Sequence, residues 1–436
     1  MASFARYLSF QPLSLVLAAG VLYFGVMLVG LKRFLDAYFD DPRASVIGLL
    51  VIFGLWGSPW VSTGLHNLRA ILYSGAYPST LIFGIGFFMF SRALEFSKRQ
   101  FKISDFFFFF LTTAFSFISH QLSAAIALSM MFLFQIFDGG IKKRALLFTI
   151  LAVVSGLTAS HYWLYFDPIA LTIAGGRDPI NKGNSNFESF LPVLFLIAPA
   201  FLGILGFGFC TLRNRYLALP VGFAVFFGCY LAGAVVGNPV THRLLPPAIL
   251  FLHLSFVLWF LSTVRADSLA KRRYLRFAYG LCFMTMMVEL AVLTVDISKT
   301  AINYFAHNEP WKYGVMPVVS QMSQISRTLT RNSVVSASST LSVSLPAFGG
   351  KLLASYRGIN LVPDLMERRD MSSLLLGDTT QIAQRQAIVK RYGVTHLLFE
   401  DENVTSATMS ELISMGQALP SPFGITLIQL GTGFKH

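Results

Sequence analysis

The feature that most constrains this chain is a succession of apolar segments, each long enough to cross a lipid bilayer as a helix. Reading runs of roughly 17–25 apolar residues predicts about ten spanning helices, at approximately 11–31, 45–61, 77–94, 104–119, 121–138, 144–164, 189–212, 216–237, 244–264 and 275–297. Charged residues make up 13% of the chain, whereas soluble domains average about 25%. The sequence therefore predicts a polytopic α-helical membrane protein.

Lys and Arg are concentrated in every second loop between these segments. The odd-numbered loops hold Lys32, Arg33 and Arg43, then Arg92, Lys98, Arg99 and Lys102, then Lys142, Lys143 and Arg144, then Arg213 and Arg215, and finally Arg265, Lys271, Arg272, Arg273 and Arg276. Because basic loops are retained in the cytoplasm, the even-numbered loops and both chain ends are predicted to lie outside. We therefore expect a multi-pass protein of the plasma (inner) membrane.

An outer N-terminus on a first helix without a signal peptide is unusual. It suggests either a partner subunit or a preceding segment that supplies further N-terminal helices, or else a miscounted helix. The net charge of +13 does not indicate nucleic-acid binding, because the basic residues lie in short tracts between apolar segments. Cys210, Cys229 and Cys282 all fall inside apolar segments and are predicted to be small buried residues.

The sequence changes character near residue 298. This predicts a multi-helix transmembrane domain over 1–297 and an extracytoplasmic α/β domain over 298–436. In the second domain, short β-rich runs at 333–337, 351–356, 394–399 and 424–430 alternate with helical patterns at 341–348, 379–392 and 408–416, after an amphipathic helix at 316–329. The domain has no P-loop and no metal-ligand spacing, so we expect a lid or docking role.

Residues suited to phosphate binding gather on the predicted outer side. Arg243, with His242 beside it, directly precedes the segment 244–264. The Arg guanidinium can donate two parallel hydrogen bonds to phosphate oxygens. The other candidate binding residues are His66, Arg69, His120 and Arg177. Simpler interpretations stay open: Arg243 could reach to lipid headgroups as a helix-end anchor, and His120 could cap the following helix.

Two carboxylates are the best candidates for a general base in sugar transfer, which needs an outward-facing acid residue. Asp167 and Asp178 lie in the long outer loop 166–188. This Gly-rich, charged loop is predicted either to gate a substrate or to be an ordinary solvated connection. The first outer loop contains no carboxylate pair.

Three stretches of the sequence carry a family resemblance. Residues 117–122 read F-I-S-H-Q-L, residues 242–247 read H-R-L-L-P-P, and Ser333–Gly350 is followed by R-Y-G-V-T-H-L-L at 391–398. They resemble the "T-H-P-L" turn, the "R-Y-L-L-P-x-x-P" helix opening and the periplasmic tail, with "K-Y-G-V-x-Y-V-V" near its end, of the polyprenyl-phosphate-dependent membrane glycosyltransferases of the GT-C fold.

The resemblance implies a polyprenyl-phosphate-linked sugar donor, an outward active site, and Arg243 on the lipid phosphate. The acceptor would be a glycan or lipid of the cell envelope, as in polysaccharide biosynthesis, and a divalent metal stays open as a cofactor. Gln121 stands where the family has Pro, and the family's acidic motif in the first outer loop has no counterpart. Whether the chain is itself an enzyme therefore stays open.

Three alternatives accompany this hypothesis. The chain could be a non-catalytic membrane scaffold subunit of an envelope complex that docks partners through its outer α/β domain. It could be a polysaccharide polymerase or ligase, which also places Arg and His on a lipid-linked phosphate. It could also be a transporter, which internal inverted repeats would indicate, but we find no convincing repeat.

Overall fold

The chain forms two compact units, Val16–Ile297 and a second that contains Ser298–His436. The computed structural model describes residues 12–39, 41–56, 75–96, 99–138, 143–164, 166–175, 194–195, 197–213, 215–264, single positions within 276–298, 322, 324–330, 332–338, 341–342, 345, 351–354, 364–421 and 424–431.

The first unit is helical. Its helices are α1 (Pro12–Phe39), α2 (Ala44–Gly54), α3 (Pro78–Glu95), α4 (Ile103–Ser119), α5 (Gln121–Phe137), α6 (Lys143–His161), α7 (Pro168–Gly175), α8 (Ile204–Arg213), α9 (Ala218–Val235) and α10 (Leu245–Val264). A 3-10 helix at Ala198–Gly203 leads into α8, and another at Pro239–Leu244 leads into α10.

Four helices are long and apolar enough to cross a membrane: Ala18–Phe39 within α1, then α6, α9, and Val240–Thr263 around α10. Among the described residues the prediction of about ten spans is therefore not supported. For two predicted spans the reason is length: α2 has 11 residues and α8 has 10, about 15–17 Å of helix, and a bilayer core is about 30 Å thick. Helices α4 and α5 have 17 residues each, about 25 Å. Most of the predicted span 275–297 lies outside the residues that the structure describes.

Helix α10 forms the centre of the unit, since every residue from Leu245 to Leu258 is buried. A helix that is apolar all round packs on all sides, and α10 contacts α2, α8 and α9. Small residues let other helices approach closely, as is common between membrane helices. At the crossing of α1 and α3, a Cβ atom added to Gly84 would lie 2.8 Å from the backbone nitrogen of Met27.

The second unit contains a mixed five-stranded sheet in the order β2-β1-β3-β5-β4. The strands are β1 (Val334–Ala337), β2 (Lys351–Leu352), β3 (His396–Glu400), β4 (Gly416–Leu419) and β5 (Ile425–Leu430), and the helices are α11 (Leu365–Leu376), α12 (Ile382–Tyr392) and α13 (Ser406–Ser414). Strand β1 pairs in parallel with β2 and β3, while β5 is antiparallel to β3 and β4. A small C-terminal sheet unit was predicted; α11 and β4 were not.

Candidate functional site

A pocket at one end of the helical unit is lined by residues from three separate parts of the sequence. Its polar lining residues are Ser79, His120, Ser123 and Arg243, and its apolar ones are Phe83, Leu122 and Ile126. The empty volume is about 280 Å³, including space open to solvent. The structure thus brings two of the predicted binding residues, His120 and Arg243, into one pocket, although 122 positions separate them in sequence.

Arg243 reaches the pocket from the 3-10 helix that precedes α10. The Asn238 side chain starts this turn by accepting a 3.1 Å hydrogen bond from the Val240 N–H. Gly233 of α9 lets the turn pack closely, because a Cβ atom there would overlap the Thr241 side chain. The Arg243 side chain is half-buried and interacts electrostatically with Tyr77, the residue before α3.

His120 is the single residue between α4 and α5. Its extended backbone (φ −161°, ψ 94°) ends α4, and its Nδ1 accepts a 3.3 Å hydrogen bond from the Ser123 N–H at the start of α5. An Nδ1 that accepts carries no proton, so the neutral ring bears its proton on Nε2. Burial and then the charge of Arg243 lower the pKa of His120, which favours this neutral form. His120 is therefore a helix cap that also lines the pocket, and the donor of its neutral ring is the Nε2–H.

Ser79 was not singled out from the sequence. It lies in the first turn of α3, directly after Pro78, and is 3% exposed. Its Oγ has no hydrogen-bond partner among the residues that the structure describes. The one sequence signal was Pro78, because Pro is favoured at the first helical position and marks where a helix begins.

His242 is not among the residues that line this pocket. Its ring lies 5.9 Å from the Tyr230 ring of α9, measured between centroids. The adjacent His242 and Arg243 side chains therefore lie in different environments. His242 packs towards α9, and Arg243 lines the pocket. That His242 also binds a substrate stays a prediction.

Asp167 caps α7 and pairs with His161. Its Oδ1 accepts hydrogen bonds from the N–H groups of Ile169 (2.9 Å) and Ala170 (3.2 Å), and its Oδ2 lies 2.8 Å from Nδ1 of His161. Burial raises the pKa of Asp167, but the bonds from Ala170, His161 and Ile169 together hold it below its ordinary value. A carboxylate with both oxygens engaged is a weak base, and Asp167 does not line the pocket.

The remaining site predictions concern residues outside those that the structure describes, namely His66, Arg69, Arg177 and Asp178. Within the described part of the chain, no group of three or more His, Cys, Asp or Glu side chains is arranged to hold a metal ion. The pocket's own described polar groups are two hydroxyls, an imidazole and a guanidinium, which suit an anion better than a cation.

The opposite end of the same helices holds a compact ionic cluster. Asp105, at the start of α4, is fully buried and lies 2.7 Å from both Arg92 and Arg99. Glu95, at the end of α3, binds the same two arginines at 3.1 Å and Arg33 of α1 at 3.3 Å. On α3, Ser79 at the pocket and Glu95 in the cluster are 16 residues apart, which is about 24 Å of helix.

Positive charge is therefore distributed unevenly over the helical unit. Among its described residues up to 264, the Lys and Arg that belong to the cluster end are Lys32, Arg33, Arg43, Arg92, Arg99, Lys102, Lys143, Arg144, Arg213 and Arg215. Arg243 is the one described Lys or Arg at the pocket end.

No protein-family profile matches the sequence, and no curated protein is significantly similar to it.

Proposed function

We propose that this protein binds the phosphate of a polyprenyl-linked sugar donor in the Arg243 pocket and transfers the sugar at the outer face of the plasma membrane. The observation that carries the proposal is the meeting of Arg243 and His120 in one pocket, at the end of the bundle where Arg243 is the one described Lys or Arg. Both residues belong to the stretches that resemble GT-C glycosyltransferases.

The pocket chemistry suits an amphiphilic phosphate. Arg243 supplies a full positive charge and a fork of donors for phosphate oxygens, and His120 supplies a neutral Nε2–H donor. The apolar lining residues Phe83, Leu122 and Ile126 offer a surface to the first isoprene units of a lipid. A free, fully hydrated phosphate would gain nothing from that surface, so a lipid phosphate fits better.

In the proposed reaction, an acceptor hydroxyl attacks the anomeric carbon of the sugar, and the bond from that carbon to the phosphate oxygen breaks. The leaving lipid phosphate gains negative charge, which Arg243 stabilises where it develops. The hydroxyl proton passes to a carboxylate. Asp178 is the better candidate base, because the oxygens of Asp167 are engaged by α7 and His161.

The distribution of Lys and Arg supports a pocket on the outer side of the membrane. Basic residues favour the cytoplasmic side, so we place the ionic cluster there and the pocket outside. The four long apolar helices cross the bilayer, and the shorter apolar helices complete the bundle. Helix α10 then runs from the outer pocket end to the cytoplasmic end, so the predicted span 275–297 would carry the chain back across the membrane and make the C-terminal sheet unit extracytoplasmic.

One observation favours the alternative of a non-catalytic membrane subunit. The described lining of the pocket contains no carboxylate, so these residues suffice to hold a lipid phosphate but not to accept the acceptor's proton. In this alternative the same site binds the lipid and presents it to a partner enzyme.

The test is native mass spectrometry of the protein extracted gently from its own membrane. We expect a retained polyprenyl phosphate or its sugar conjugate in the wild type and its loss in Arg243→Gln. Arg144→Gln is the matched control, because Arg144 is an exposed arginine at the cluster end. Lipid retained in Arg243→Gln would refute the proposed site; lipid bound without transfer of its sugar to membrane glycans would favour the non-catalytic subunit.

A further inference from the structure

The side chain of Ser79 is a buried hydroxyl to which no described residue is hydrogen-bonded. It is 3% exposed, and its Oγ has no hydrogen-bond partner among the described residues. A buried polar group in that state costs free energy, and buried hydroxyls in folded proteins usually find a partner. Ser79 also lines the pocket that holds Arg243 and His120, so a ligand there can supply the missing acceptor.

Two helix N-termini meet the pocket at this point. Ser79 lies in the first turn of α3, and Leu122 and Ser123 lie in the first turn of α5. In α5 the Ser123 N–H binds His120 Nδ1 and the Ala124 N–H binds the His120 carbonyl oxygen at 3.0 Å. The N–H groups of Gln121 and Leu122 precede the first intrahelical hydrogen bonds.

These features combine to favour one class of ligand. Helix N-termini carry partial positive charge and favour anions, phosphate in particular. Arg243 adds a full positive charge, and the Ser79 hydroxyl adds a donor for which the described part of the chain provides no acceptor. Each feature alone is common in proteins, but here they line the same small pocket.

We propose that Ser79 is a ligand-binding residue, whose hydroxyl donates a hydrogen bond to a phosphoryl oxygen of the anion that Arg243 neutralises. This inference rests on the proposed function and adds a binding residue to it. It assigns the pocket to the phosphoryl group itself, with the first turns of α3 and α5 beside it, and leaves the sugar to be bound elsewhere.

The chain offers a closely matched control in Ser91. Ser91 lies on the same helix, is 1% exposed, and its Oγ likewise has no hydrogen-bond partner among the described residues. It is 12 residues from Ser79 and towards the ionic cluster. Ser79→Ala and Ser91→Ala therefore remove the same unbonded hydroxyl from the same helix, one at the pocket and one remote from it.

The experiment measures binding of geranylgeranyl monophosphate to the full-length protein in lipid nanodiscs. We expect Ser79→Ala to raise Kd about tenfold, which corresponds to about 1.4 kcal/mol, whereas Ser79→Thr, which keeps a hydroxyl, and Ser91→Ala bind like the wild type. The melting temperature without ligand is measured alongside. A structural hydroxyl would lower it when removed, and the proposal expects no decrease in Ser79→Ala.

Arg243→Gln separates failure of this inference from failure of the proposed function. If Arg243→Gln abolishes binding but Ser79→Ala binds like the wild type, Ser79 is not a ligand residue and the pocket stands. If Arg243→Gln also binds like the wild type, the proposed phosphate site falls together with this inference. An equal loss in Ser79→Ala and Ser91→Ala would mean a packing effect and would overturn the role of Ser79.

Discussion

His120 uses its two ring nitrogens for different purposes. Nδ1 caps α5 by accepting from the Ser123 N–H, and Nε2 carries the proton that a ligand in the pocket can accept. The sequence left open whether His120 caps a helix or binds substrate. In the structure the cap fixes the tautomer, and that tautomer makes the residue a donor, so the two interpretations are compatible.

Replacing His120 should separate these two roles. Asn is among the best N-cap residues, so His120→Asn should keep the stability of α5 but bind geranylgeranyl phosphate more weakly, because it lacks the Nε2–H. His120→Ala should lose the cap as well, at about 1 kcal/mol of stability. Melting temperature and lipid affinity measured for both variants test this. Wild-type affinity in His120→Asn would show that the cap is the whole role.

Asp138 is a second residue whose surroundings determine its protonation, in this case through its pKa. It follows α5, where its Oδ2 accepts a 2.6 Å hydrogen bond from Tyr38 Oη and its Oδ1 accepts one from the Ala218 N–H at 3.2 Å. Burial raises the pKa of Asp138 to about 6, against the lowering effect of these hydrogen bonds. The folded protein therefore binds the Asp138 proton more tightly than the unfolded chain does and releases it around pH 6.

This raised pKa predicts a pH-dependent stability. An unfolded Asp titrates near pH 3.9, so the contribution from protonated Asp138 is complete below about pH 4 and is lost as the pH rises through about 6. The total is about 3 kcal/mol. Asp138→Asn, whose amide can accept from the Ala218 N–H and donate to Tyr38 Oη, should remove this slope from melting curves recorded between pH 4.5 and 7.5.

The control for this measurement is Asp36→Asn, which changes a carboxylate of α1 that is 37% exposed and lies beside Lys32. This variant should keep the wild-type slope. If Asp138→Asn keeps that slope too, Asp138 is not the group that titrates, and another buried group must be sought.

At the scale of elements, the crossing of α1 and α3 depends on Gly84. A Cβ atom there would lie 2.8 Å from the backbone nitrogen and 2.9 Å from the Cα atom of Met27. Backbone atoms of a packed helix cannot move aside as the end of a side chain can. The crossing holds α3 in place, and α3 carries Ser79 to the pocket and Arg92 to the ionic cluster.

Gly84→Leu should therefore destabilise the helical unit by at least about 3 kcal/mol, the upper part of the range for overpacked cores. The measurement is the melting temperature in detergent. Gly25→Leu is the matched control, because a Cβ atom on Gly25 of α1 meets no other atom within 4 Å, and it should melt like the wild type. Equal losses in the two variants would mean that the close crossing at Gly84 does not determine the loss, since Leu is a better helix former than Gly at both positions.

The sequence predicted helix boundaries well where an apolar run ended at a polar residue such as His120, and less well elsewhere. The break at His120 between α4 and α5 was predicted at the residue where it occurs. The apolar run 45–61 suggested a spanning helix, but α2 ends at Gly54, since hydrophobicity alone does not reveal where a backbone turns. Strand β4 was missed because its four residues alternate weakly and lie at a sheet edge.

At the scale of the whole molecule, the site was predictable only in part. Arg243 and His120 were selected because charge and histidine stand out beside apolar segments. Ser79 has no such contrast, since a serine in a membrane segment is common. Only the packing of α3 shows that its hydroxyl is buried and has no hydrogen-bond partner among the described residues. Distances between separate segments, such as Arg243 and Ser79, follow from tertiary packing and not from any local pattern.

The uneven charge also makes the orientation of the helical unit testable along a single helix. Helix α6 begins at Lys143, at the cluster end, and Tyr162 follows its other end with 75% exposure. In a variant with Cys210, Cys229 and Cys282 replaced by Ser, Tyr162→Cys should react with a membrane-impermeant maleimide in cells whose plasma membrane is accessible. Lys143→Cys should react only after lysis, because basic segments remain in the cytoplasm. The reverse labelling would place the pocket in the cytoplasm and exclude transfer at the outer face.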